Sequence, residues 1–148
     1  MPPSAAAMAV AGQCKVIVTS DLVRSVESGR VLGAGTPMMS EGLFREAGLP
    51  YGSTAFIKMP PFVWAMLFRF LWSFGFKTKG ESIHAFRKRA RSAATLLISL
   101  AREHGSVLLV GHGLINRYIA RELLSTGWNG SEKTKIRHWG FTEYTREA

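Results

Sequence analysis

Residues 106–124, SVLLVGHGLINRYIARELL, join a wholly apolar run to a histidine flanked by glycines and pass at once into a helical pattern. A short apolar run bounded by turn residues predicts a buried strand. The stretch is therefore expected to deliver His112 to the N-terminus of a helix. The first turn of a helix offers backbone N–H groups without intrahelical partners and a partial positive charge, and together these favour an anion. A histidine placed there is positioned to touch a phosphate. Gly111 and Gly113 suit that role and equally suit a purely structural strand-to-helix turn, which needs small residues.

Working outward, residues 15–20, KVIVTS, form a second β-branched run, and residues 21–28, DLVRSVES, follow with helical character. Ser20 is the expected N-cap, with Asp21 as the acidic residue of the first turn. Residues 29–37 are rich in turn formers, and residues 38–50 predict a loop with at most one short strand. Residues 62–74 are apolar almost all round and follow two prolines that suit a helix start. Trp64, Phe68, Leu71 and Trp72 fall near one face, which predicts a buried helix or a hydrophobic cap. The other reading is an amphipathic helix on a membrane surface, aided by Lys77 and Lys79. Ile83, Phe86, Ala90, Ala93, Leu97 and Leu100 alternate in steps of three and four, predicting a helix over residues 81–104 that Gly105 ends. Its other face holds Arg87, Lys88, Arg89, Arg91 and Arg102, the pattern of a solvated surface. A further short strand is expected within residues 141–145.

This order of elements predicts an α/β fold, a three-layer α/β/α sandwich with a mainly parallel sheet, in which residues 15–19 pair with residues 107–111. The length of 148 residues suits a single domain. The net charge of +9 favours anionic partners: phosphate esters, nucleic acid or a membrane surface. Nucleic-acid binding is not expected, because the basic helix face lacks interleaved aromatic residues. The single cysteine, Cys14, gives no internal disulfide, and a cytoplasmic setting is the default. Residues 1–13 lack the basic and apolar regions of a signal peptide. The apolar run after Pro61 is shorter than the roughly 20 residues of a membrane span and contains Arg69, so stable membrane insertion is not expected. His84, His104, His112 and His138 are scattered, which predicts no metal site and no cofactor. GAGTPM, residues 33–38, lacks the strand and helix that a dinucleotide loop requires.

Arg24, Glu46 and His112 stand at the ends of predicted elements, where open α/β sheets place their sites. With these residues the chain resembles the histidine phosphatase superfamily, in its phosphoglycerate-mutase-like branch. TSDLVRS resembles the segment bearing a phosphate-binding arginine, VLLVGHG the strand bringing in the second catalytic histidine, and GES at residues 80–82 a further recurrent element. The resemblance runs in order over residues 16–124. It implies phosphomonoester hydrolysis or phosphoryl transfer through a phosphohistidine, acting on a phosphorylated small molecule. Arg24 would clamp a phosphoryl oxygen, His112 would stabilise its charge, and Gly113 would complete the phosphate site. Glu46, in FREAGLP, would protonate the leaving oxygen, with Glu41 nearby as the competing position.

One departure stands out. The family's nucleophile is a histidine in an Arg-His-Gly motif ending the first strand, and no such motif precedes Lys15. Arg137 and His138 form the one Arg-His pair, but a glycine does not follow them directly. The chain is therefore expected to be an N-terminally incomplete domain with its first strand missing and its phosphatase activity impaired. Two alternatives accompany that expectation: a non-catalytic phosphate-binding or interaction module, and a basic membrane-surface protein.

Overall fold

A computed structural model of the chain describes residues 1–48, 59–76 and 80–147. They form two compact units, Met1–Glu46 with Ala90–Ala148, and Ala47–Arg89.

The first unit is built on a parallel sheet. Strand β1 (Val16–Thr19) pairs on one side with β3 (Val107–Val110), in the register Val16 to Val107 through Thr19 to Val110. On its other side it pairs with β2 (Met38–Ser40), giving the order β2-β1-β3. The expected α/β class and the parallel pairing of residues 15–19 with 107–111 are both present. β1 is buried at every position, the signature of a strand covered on both faces, whereas each residue of β3 is half-buried.

The chain enters this unit through α1 (Ala5–Gln13), capped by the Ser4 hydroxyl, which accepts from the Ala7 N–H at 3.2 Å. Its alanines favour helix strongly without marking an apolar stripe. Helix α2 (Val23–Leu32) starts later and runs further than its sequence suggests. Gly29, expected in a turn, lies buried inside it because a Cβ there would press to 2.7 Å from Thr19 Cγ2 and 3.0 Å from Met38 Sδ. The glycine lets helix and sheet approach closely. Helix α5 (Gly113–Ser125) follows β3 and buries Ile115, Ile119, Ala120 and Leu123, which recur at helical spacing. A two-stranded antiparallel ladder joins β4 (Asn129–Gly130) to β5 (Tyr144–Thr145); β5 lies within the region expected to hold a late strand, and its partner β4 was not expected.

The second unit contains α3 (Pro61–Ser73), with proline in its first turn, and the first turns of α4 (Ile83–His104). Trp72 is 1% exposed; its ring packs 5.4 Å from that of Phe86, and its indole N–H donates to the Glu81 carbonyl. Arg89, expected on a solvated face, instead makes a two-pronged ion pair with Glu81 at 2.8 Å. The expectation of a buried α3 holds fully for Trp72 alone, with Trp64, Phe68 and Leu71 partly covered. Phe62 is 72% exposed, with Met66 and Phe70 close behind it. The remainder of α4, from Ala90 onward, belongs to the first unit, where Ala90, Ala93, Ala94 and Leu97 are buried. Gly105 ends it with φ at +89°.

Candidate active site

The C-terminal ends of β1 and β3 lie side by side, and each runs into a helix. β1 presents Ser20 and, one turn into α2, Arg24; β3 presents His112 immediately before α5. Parallel pairing thus brings together residues 88 and 92 positions apart in the chain. Gly111 lies close under the side-chain amide of Asn116, which a Cβ there would have to push aside.

His112 is held from both ring nitrogens. Nε2 lies 2.7 Å from Ser20 Oγ, and Nδ1 lies 3.4 Å from Arg24 Nη2. A guanidinium only donates, so Nδ1 must be the acceptor. The neutral ring then carries its hydrogen on Nε2 and donates it to Ser20 Oγ. That oxygen also lies 3.4 Å from the Leu22 N–H, a second donor. Ser25 braces the same corner: its hydroxyl donates to the Val110 carbonyl and accepts from the Ser20 N–H. Ser20 and Ser25 are buried, and this network is what makes burying their polar groups tolerable.

The His112 pKa lies below the ordinary histidine value. Burial is the main cause and the Arg24 charge the second, while Glu46 pulls in the opposite direction. The geometry agrees, because a proton on Nδ1 would face a guanidinium that can only donate.

Glu46 reaches the start of α5. Its Oε2 accepts from the Leu114 N–H and its Oε1 from the Ile115 N–H, both at 2.9 Å. The carboxylate therefore caps the helix through which an anion was expected to bind. Gly113 opens the same turn, and a Cβ there would meet only Glu46 Oε2 at 4.0 Å. The chain beside Glu46 is anchored by Arg45, whose guanidinium forks onto Asp21 with Nε 2.6 Å from Oδ1. That fork holds the Asp21 carboxyl below its ordinary range.

Of the four expected site residues, Arg24, His112 and Gly113 thus fall on the β1–β3 corner or the helices it leads into, and Glu46 reaches the start of α5 from the loop that follows β2. Three participants were misassigned or missed. Ser20 is not the N-cap of α2, a position taken by Leu22; its hydroxyl is committed to His112. Asp21 does not enter the first turn of α2 but pairs with Arg45. Ser25 gave no local signal at all, because its partners lie across the sheet. Among the described residues, no group of three or more His, Cys, Asp and Glu side chains is placed to hold a metal ion.

Bacillus stearothermophilus YhfR superposes with a TM-score of 0.56 at 19% identity, over 80% of this chain. The chain spans 63% of that protein's length. A mycobacterial glucosyl-3-phosphoglycerate phosphatase, solved with inorganic phosphate, superposes with a TM-score of 0.60 at 20% identity, over 96% of this chain and 82% of its own. At these identities the likeness concerns the fold. No curated protein matches the chain. The family model for the histidine phosphatase superfamily (branch 1) matches residues 4–148, nearly the whole sequence. The chain belongs to that superfamily.

Proposed function

We propose that the corner formed by Arg24, His112 and Gly113 binds a phosphomonoester and stabilises the charge of its phosphoryl group during transfer. The carrying observation is the 3.4 Å approach of Arg24 Nη2 to His112 Nδ1 at the mouth of α5, with Nε2 fixed by Ser20. Phosphoryl transfer rests mainly on positioning and on neutralising charge spread over the equatorial oxygens. A guanidinium, an imidazole and helix-end N–H groups supply both. A phosphoryl oxygen that parts Arg24 from His112 accepts from both once Nδ1 carries a proton. That proton comes by uptake or by a tautomer switch in which the Ser20 hydroxyl donates to Nε2. Glu46, beside the same helix start, is the group that would protonate the leaving oxygen, and it must loosen a backbone bond to reach it.

Residues 1–148 contain no Arg-His-Gly motif, and a covalent phosphohistidine route needs a histidine nucleophile. This favours a second reading, a phosphate-binding module without turnover. One pair of measurements covers both: titration with inorganic phosphate, and hydrolysis of an aryl phosphate. Phosphate is expected to bind, with at least a tenfold loss of affinity in Arg24→Ala or His112→Ala, the order of one charge-assisted hydrogen bond. Turnover is expected to stay near background and to rise when an upstream extension supplies an Arg-His-Gly strand. Failure to bind phosphate would sink the site. Robust turnover abolished by His112→Ala would keep the site and overturn the impairment.

A further inference from the structure

Helix α3 leaves a row of large apolar side chains exposed. Phe62, Met66 and Phe70 recur every four residues at 72%, 59% and 61% exposure, with Val63, Leu67 and Phe74 exposed beside them. At about 100° per residue these six side chains fall within an arc of roughly 140°. The opposite arc is spent on internal packing: Trp72 is buried against Phe86, Trp64 stacks on Phe68 at 5.4 Å, and Arg69 lies over the Trp72 ring. The exposed stripe is therefore a continuous face rather than scattered single residues, and such a face marks an interaction surface.

Charge selects the partner. The unit Ala47–Arg89 contains seven Lys and Arg against a single acid, Glu81, and Arg89 already pairs with that acid. Arg87 and Lys88 are exposed on the first turns of α4, the helix whose Phe86 packs on α3. A second copy of this chain would bring like charge against like charge. An anionic bilayer offers apolar depth for the phenylalanines and negative headgroups for the cations. No helix of the described residues is long and apolar enough to cross a membrane, so the contact is one of lying on the surface.

We propose that the exposed face of α3 docks the protein onto anionic lipid membranes, with Phe62, Met66 and Phe70 in the acyl boundary and the exposed Arg87 and Lys88 drawn to the headgroups. The proposal is independent of the phosphate site. It is tested by flotation of the full chain with phosphatidylcholine vesicles, with and without phosphatidylglycerol. The expected result is recovery with the phosphatidylglycerol vesicles only, reversed by high salt. The double variant Met66→Asp/Phe70→Asp should lower the bound fraction by about tenfold or more with an unchanged circular dichroism spectrum. Arg87→Glu/Lys88→Glu should weaken the salt-sensitive part alone. Should the aspartates alter the spectrum, Phe62→Ser/Phe70→Ser applies the same criterion. Absence of flotation, equal recovery with phosphatidylcholine alone, or unchanged binding in the apolar variants would overturn the proposal. So would a wild-type dimer in sedimentation equilibrium that Met66→Asp/Phe70→Asp converts to monomer, which would assign the face to a second copy.

Discussion

The end of β1 and the outer face of α3 depart from ordinary burial in opposite directions. At the first, Thr19, Ser20 and Ser25 are buried with their hydroxyl groups; at the second, phenylalanines stand in solvent. Each inversion costs stability on its own, since a buried polar group needs partners and exposed apolar surface forgoes transfer free energy. The first region recovers its cost internally, because Ser20 finds His112 and Ser25 finds Val110. In the second, Phe70 and Phe74 pack on each other at 4.9 Å, yet both remain more than half exposed. One inversion thus points to chemistry held within the fold, and the other to a contact made outside it.

The contrast is sharpest in Trp72 and breaks most visibly there. Trp72→Ala removes the buried anchor of α3 and its bond to Glu81, and is expected to cost about 3–5 kcal/mol in denaturant unfolding. A loss below about 1 kcal/mol would mean that neither face of α3 is packed, and the two-faced description would fail. Ser20→Ala should cost about 1–3 kcal/mol by stranding His112 Nε2. It should also shift the pH dependence of phosphate binding, which a purely structural serine would not do. Ser20→Thr keeps the hydroxyl and should restore much of that profile.

The His112 titration gives a smaller effect with a fixed sign. Its folded-state value is depressed, so below the ordinary value of about 6.5 the unfolded chain takes the proton first. The associated stability is complete above that pH and is lost as pH falls through the folded value. The wild-type midpoint should therefore decline more steeply than that of His112→Gln on going from neutral to mildly acidic pH. A parallel decline in both would remove burial of the ring from the account. The smallest effect belongs to Phe62→Ser, expected within about 0.5 kcal/mol of wild type in the absence of lipid. A cost of several kcal/mol would show that this face is packed and would erase the comparison.

Much of this was legible in the sequence where the signal is local. KVIVT and VLLV are apolar runs of strand length, and the three-and-four spacing from Ile83 onward can only be a helix. His112 at the end of an apolar strand, before a helix, marked one side of the site, and Arg24 after KVIVTS marked the other. What escaped was nonlocal. Ser20 carries every local mark of an N-cap, yet its partner is 92 residues away. Asp21 suits a helix dipole equally well until Arg45 is brought opposite it. Gly29 imitates a turn because its requirement, closeness to Thr19 and Met38, exists only once β1 and β2 pair. Helix α1 escaped for another reason: alanine favours helix through propensity alone and leaves no periodic trace.

The carboxylate of Glu46 has a consequence for affinity. It rests on the Leu114 and Ile115 amides, two of the donors that make the tip of α5 attractive to anions. An incoming phosphate thus meets an internal competitor, and its net affinity is an exchange between tethered and free anions. Neutralising the tethered one tilts that exchange toward the guest, so Glu46→Gln should hold inorganic phosphate more tightly at the proposed site.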